Sequence, residues 1–221
     1  MVREAEVLWD IPVGPEKIIV EQLEDVSVGA GYAFAKRTFD FLASLVLIIL
    51  LLVPMVIIGL IIVLTSPGGA IYRQTRLGKN EVPFTLYKFR TMCADAEEDG
   101  LRWAVENDER TTAIGKWMRS TRMDELPQLF NILFGQMSFV GPRPERPEFY
   151  DLFDTYIEGF RQRMLVTPGL TGLAQVNGGY DLLPEEKIVY DIRYIKERSV
   201  RMDLFCILKT FGVVLFHDGA R

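Results

Sequence analysis

The chain has 221 residues, 49% hydrophobic and 25% charged, with a net charge of −5. This excludes a disordered chain and a basic nucleic-acid tail, and it allows one catalytic-sized domain of about 150 residues beside any membrane segment. One histidine, His217, and two distant cysteines, Cys93 and Cys206, exclude a histidine-rich zinc site and leave acid–base or nucleophilic chemistry to carboxylates assisted by Arg, Lys and a hard metal ion.

Residues 1–32 form an acidic N-terminal arm; residues 1–35 hold two bases against seven acids. Its apolar runs, Val7–Trp9 and Ile18–Val20, predict one or two short strands. Residues 33–66 are the membrane segment. No charge lies between Asp40 and Arg73, and Phe41–Leu64 is almost wholly apolar. As one helix this stretch is about 36 Å long, enough for a hydrocarbon core of about 30 Å. Pro54 near its middle predicts a kink or break, because it removes one backbone hydrogen bond and presses on the preceding turn. Lys36 and Arg37 precede the segment and Arg73, Arg76 and Lys79 follow it, so positive charge draws both ends to one side. A turn at Pro54 leaves arms of roughly 20 and 16 Å, each able to enter one leaflet. A spanning helix stays open on these grounds, since prolines occur in spans whose neighbours re-satisfy the backbone. The segment starts too late and runs too long for a removable signal peptide.

Residues 67–221 are expected to be the catalytic domain. Ser66-Pro67-Gly68-Gly69 is a strong breaker, and Ala70–Gln74 and Val82–Met92 read as a hairpin. Phe84, Leu86, Lys88 and Arg90 share one face of its second strand, where two cations suit either a phosphate or a solvated edge. Residues 94–109 are an acidic excursion. A helix follows a Thr111 or Thr112 cap, with Ile114, Trp117 and Met118 on one side. In Asp124-Glu125-Leu126-Pro127-Gln128-Leu129-Phe130-Asn131 the apolar stripe is helical, and Pro127 in a first turn starts the helix at about Asp124. Asp124 is then either an ordinary cap or part of a carboxylate pair at an anion-favouring end. Pro142 and Pro144 stiffen the loop presenting Arg143. Phe149, Phe153, Tyr156 and Phe160 are expected along one helical face, in a core or in the membrane interface. Pro168–Gly172 and Asn177–Gly179 bracket a short strand, Leu173–Val176, with glycines that allow close approach of a ligand. Residues 184–198 predict a charged helix carrying Asp191, and Met202–Phe216 a core or interfacial helix.

These stretches, in this order, resemble the bacterial monotopic phosphoglycosyl transferases, which start polysaccharide assembly on a polyprenyl phosphate. The resemblance covers about residues 33–221. It is carried by Lys36-Arg37-Thr38-Phe39-Asp40, Tyr87–Met92, Asp124–Asn131, Met137–Pro144, Pro168–Gly172 and Gln175–Gly178. It implies an α+β, helix-rich monotopic membrane protein with a re-entrant helix-break-helix, a small β-hairpin and interfacial amphipathic helices. Where members typically carry Ser-Pro at the break, this chain has Val53-Pro54. The Arg143–Glu148 run and Phe211–Arg221 look more like the long exopolysaccharide-initiating members than the shortest ones.

The resemblance further implies a catalytic Asp124-Glu125 dyad with magnesium. Lys88, Arg90, Arg119 and Arg143 are expected to neutralise phosphate charge beside it, with Gln175, Asn177 and Asp191 as further substrate-binding candidates. The implied reaction is attack by Asp124 on the sugar-bearing phosphorus of a UDP-sugar, release of UMP, and transfer of the sugar phosphate to polyprenyl phosphate. Glu125 would hold the metal or orient Asp124. The expected location is the bacterial cytoplasmic membrane, catalytic domain on the cytoplasmic face, in contact with inner-membrane lipid and not with nucleic acid; a homodimer stays open. Competing readings are a membrane-tethered scaffold in which Asp124 only caps a helix, and a lipid-phosphate hydrolase with water as acceptor.

Overall fold

An apolar run without charged side chains leaves the backbone only itself to bond with, and Ala30–Thr65 form one helix of 36 residues, α1. The computed structural model of the chain describes residues 18–24, 26–93, 95–96, 108–178 and 182–216, so Val7–Trp9, most of the 94–109 excursion and His217 lie outside the described residues. Pro54 lies inside α1 without ending it. Asp40, Ser44, Ile48, Met55, Ile58 and Ile62 are its buried residues, spaced as one helical stripe. Ile48 packs on Phe84, Leu86, Leu129, Ile132 and Met137. Beyond the proline, Met55, Ile58 and Ile62 pack on Phe89 and Met118. Both arms therefore rest on the same body. From Phe41 to Leu64 most of the remaining helix surface is apolar and exposed, with Leu50 67%, Val53 66% and Leu64 82% open. A contiguous apolar face of this kind marks a membrane contact, and α1 is long and apolar enough to cross one.

Arg90 closes the far end of α1: its guanidinium donates to Ser66 O at 2.9 Å and Ser66 Oγ at 2.8 Å, taking up a carbonyl the helix end leaves free. The chain then enters an antiparallel hairpin, β2 (Ile71–Leu77) and β3 (Pro83–Phe89), in register Tyr72 to Lys88 and Arg76 to Phe84. It is preceded by β1 (Ile18–Ile19), which runs parallel to β5 (Ile157–Glu158) and fastens the end of the acidic arm to the body. Thr112 caps α2 (Ala113–Ser120), its side chain accepting from Gly115 N at 3.0 Å.

The apolar stripe after the carboxylates forms α3 (Gln128–Leu133), with Pro127 as its cap residue. The helix begins later than the sequence predicts, because Met123–Glu125 make a separate 3₁₀ turn. The fully buried Asn131 ties α3 to β3, accepting from Tyr87 N at 3.2 Å and donating to Thr85 O at 2.7 Å. Next come β4 (Ser138–Val140), α4 (Pro147–Asp154) and β6 (Gly169–Thr171), β4 and β6 pairing in parallel.

The strand predicted at Leu173–Val176 is displaced. The strand is β6, and Gln175–Asn177 form a 3₁₀ turn. The glycines here serve chain crossing: a Cβ on Gly169 would lie 2.0 Å from Gly141 N, and one on Gly172 would lie 2.2 Å from Gly141 O. Nor do Phe149, Phe153, Tyr156 and Phe160 share one helix, since α4 ends at Asp154. All four are buried in one aromatic core, with Phe153 edge-on to Phe160 at 5.1 Å. Against this core lies α5 (Pro184–Glu197), through Ile188 and Ile192. The last helix, α6 (Val200–Phe216), buries Cys206 and exposes Leu204, Phe205, Leu208 and Phe211.

Candidate active site

Arg122 sits in the left-handed backbone region at φ 58°, a conformation that costs a non-glycine residue about 1 kcal/mol. It turns the chain sharply from α2 into the 3₁₀ turn, so that Asp124 and Glu125 line a cavity of about 850 Å³ between the hairpin, α1, α6 and the β4–β6 loops. Both carboxylates are 7% exposed. Their electrostatics differ. Glu125 accepts from Lys88 Nζ at 3.2 Å and from both terminal nitrogens of Arg143, the longer bond being 3.3 Å. Burial works against its charge, and Arg143 and Lys88 outweigh burial and hold Glu125 well below the usual carboxylate range. Asp124 takes no salt bridge among the described residues. Burial pushes its carboxyl upward, with the charge of Glu125 adding to the rise and Lys88, Arg143 and Arg119 opposing it.

Arg119 lies on α2 and donates from Nε to Thr91 Oγ1 at 3.0 Å. Lys88, Arg90, Arg119, Arg143 and Gln175 line the cavity with the two carboxylates, although the Arg90 guanidinium is spent on the end of α1. Asn177 and Asp191 do not line it. Asn177 donates to Leu173 O at 2.7 Å. Asp191 is buried in a salt bridge with Arg163, Oδ2 to Nε 2.6 Å, each side chain 1% exposed. Burial opposes the charge on Arg163, and Asp191 more than offsets it, keeping the guanidinium protonated. Arg163 also donates from Nη2 to Arg143 O at 2.9 Å. The Asp191–Arg163 pair thus braces the loop that presents Arg143, where sequence reading put Asp191 itself on the substrate side.

Tyr72, Gln74 and Arg76 also line the cavity and were missed from sequence. Their spacing of two on β2, opposite the Lys88 strand, was the available signal. Arg163 had none, because its partner is 28 residues away on another helix. No group of three or more His, Cys, Asp or Glu residues converges among the described residues. Two adjacent carboxylates still suit a hard divalent ion that keeps its waters and takes its other oxygens from a phosphate substrate. The arrangement sets a buried carboxylate without a salt bridge among the described residues beside a cluster of cations, a combination that phosphoryl transfer can use.

Comparison with known proteins agrees with this chemistry. The chain is 42% identical over 193 residues to an Aeromonas hydrophila UDP-N-acetylgalactosamine-undecaprenyl-phosphate N-acetylgalactosaminephosphotransferase, matching 86% of this chain and 46% of that protein. It is 42% identical over 180 residues, 79% of this chain and 39% of the other, to a Klebsiella pneumoniae UDP-glucose:undecaprenyl-phosphate glucose-1-phosphate transferase. A Caulobacter vibrioides protein of the same name as the latter is 39% identical over 190 residues, 84% of this chain and 71% of its own length. The chain spans less than half the length of the first two relatives. The family profile described as Bacterial sugar transferase matches residues 31–217, so the chain belongs to the bacterial sugar transferase family.

Proposed function

We propose that this protein transfers a sugar 1-phosphate from a UDP-sugar to undecaprenyl phosphate at a membrane surface. The observation that carries the proposal is the split between the two buried carboxylates: Glu125 is neutralised by Lys88 and Arg143, while Asp124 beside it takes no salt bridge among the described residues. Asp124 Oδ attacks the sugar-bearing phosphorus. A P–O bond forms to the carboxylate as the bond to the α-phosphate breaks, and the electron pair leaves on UMP. A phosphate oxygen of the acceptor then attacks the same phosphorus, freeing Asp124 and giving a polyprenyl diphosphosugar. Arg143 and Lys88 meet the charge on the diphosphate, Arg119 from Thr91 meets it from another wall, and Glu125 keeps those cations in place. Asp124, and Glu125 where Lys88 or Arg143 turns from it to the phosphates, would hold magnesium, which when bound supplies charge neutralisation on the phosphates.

The expected break at Pro54 is not seen, α1 running through it as one helix, but its packing on one body on both sides of Pro54 favours a segment that does not cross the bilayer, and the cations flanking both of its ends favour the cytoplasmic face. A helix leaving the body to cross a bilayer would bury one end only. The test of the activity is UMP release with a panel of UDP-sugars, with and without polyprenyl phosphate. Sustained release only with the lipid supports the transferase; equal release without it favours a hydrolase, and none with any donor refutes both.

A further inference from the structure

The cavity holding Asp124 and Glu125 has a second, apolar limb, walled by Phe39, Ala43 and Leu47 of α1 and by Ile207, Thr210 and Phe211 of α6. Each set recurs at three- or four-residue spacing and so lies along one side of its helix. The two helices are clasped just ahead of these residues. Asp203 of α6 accepts from Tyr32 OH and Lys36 Nζ of α1, both at 2.9 Å, and from Tyr194 OH at 2.8 Å. The limb lies between the stretches that follow the clasp. Phe139 lines it too, edge-on to Phe39 at 5.8 Å, with its backbone N–H held by Asp40 Oδ1 at 3.0 Å.

Neither water nor a sugar has a partner on these walls. The only side-chain polar atom among the six is the Thr210 hydroxyl, and it is already engaged with Thr171 Oγ1 and Cys206 O, each at 2.7 Å. Such a lining accepts hydrocarbon and rejects polar groups. Outside the limb both helices continue as exposed apolar surface, through Val46, Leu50 and Val53 on one and Leu204 and Leu208 on the other. Hydrocarbon can therefore pass from a bilayer into the cavity along these apolar side chains, with Lys209 of α6 drawn toward Asn177 Oδ1 at 3.5 Å.

We propose that this limb holds the phosphate-proximal part of the acceptor's hydrocarbon chain, entering between α1 and α6, so that the lipid phosphate takes the position UMP vacates, in line with the Asp124–phosphorus bond. The inference rests on the transferase reading and adds the acceptor's route. A polyprenyl phosphate with a diazirine on its second isoprene unit, photolysed with the wild-type protein in nanodiscs, reads the route directly. Labelling is expected on the peptides holding residues 39–47 and 207–211, competed by unlabelled polyprenyl phosphate and not by phospholipid. Label confined to the outer face of α1 around Leu50 and Ile57, or competed equally by phospholipid, overturns the proposal.

A kinetic arm uses Ala43→Phe, which fills the limb. It is expected to raise KM for a long-chain acceptor about tenfold, the loss from displacing roughly two buried methylenes, with KM for the UDP-sugar kept. A folded variant with wild-type acceptor KM also overturns the limb assignment. If Ala43→Phe fails to fold, the labelling result decides. Wild-type protein that shows no lipid-dependent UMP release instead refutes the transferase reading, a result the labelling pattern is separate from.

Discussion

At the scale of single residues, two neighbouring carboxylates acquire different tasks from their surroundings. Attack on phosphorus needs Asp124 ionised, and burial raises its pKa above the ordinary 3.8, so UMP release should fall as pH drops through that raised value. Lys88 lowers the same pKa, so Lys88→Met should move the acid limb of the pH–rate profile to higher pH. A limb that stays in place would show that Lys88 does not act on Asp124. The buried pair behind Arg143 gives a stability prediction. Asp191→Ala strands the Arg163 charge and is expected to cost about 3–5 kcal/mol, while Arg163→Met with Asp191→Leu should recover most of it. Denaturant melts check both. Recovery of stability without recovery of turnover would mark the pair as a positioning device for Arg143, and equal recovery of both would make it structural only. Asp124, Glu125 and Arg143, which the structure brings to one cavity, were legible as candidates because each sits in a short stretch with its own local logic: a proline-limited helix start, or an arginine between prolines. The pairing of Asp191 with Arg163 was not legible, because a buried ion pair between residues 28 apart leaves no local pattern.

At the scale of elements, α1 shows what a hydrophobic run can and cannot specify. Its length, its charge-free core and its flanking cations are all in the sequence. Its path is not, because Pro54 weakens a helix without dictating whether tertiary contacts hold it. Here Ile48 and Met55, on either side of the proline, are both anchored to the body. Cysteines placed one at a time at Ala33 and Gly69, in a background with Cys93 and Cys206 changed to Ala, should be equally shielded from an impermeant thiol reagent in intact cells. Labelling of one site alone would establish a span. The hairpin and the helices α2, α5 and α6 were readable from breakers, caps and periodicity. The region from Phe149 to Val176 was not, because its four aromatics fill one core from a helix, a turn and a 3₁₀ segment, and its glycines are there for crossing strands.

At the scale of the whole molecule, one cavity is lined both by cations and by an apolar set, and the proposed transfer uses both. With Asp124 and Glu125 as its adjacent carboxylates, the protein alone should bind magnesium weakly and bind it more tightly with UDP-sugar present, which titration calorimetry can follow; chelation should stop UMP release and added magnesium restore it. Activity that survives full chelation would remove the metal from the mechanism. The central claim is that Asp124 becomes covalently phosphorylated with the sugar attached. Wild-type protein mixed with its UDP-sugar and no lipid should release about one equivalent of UMP and gain the mass of a sugar phosphate on the peptide holding Asp124. Asp124→Asn should give neither, and should melt no lower than wild type, since it removes a charge that burial penalises. An Asn variant that still turns over, or a wild-type protein that releases UMP repeatedly with no adduct on that peptide, would contradict the account.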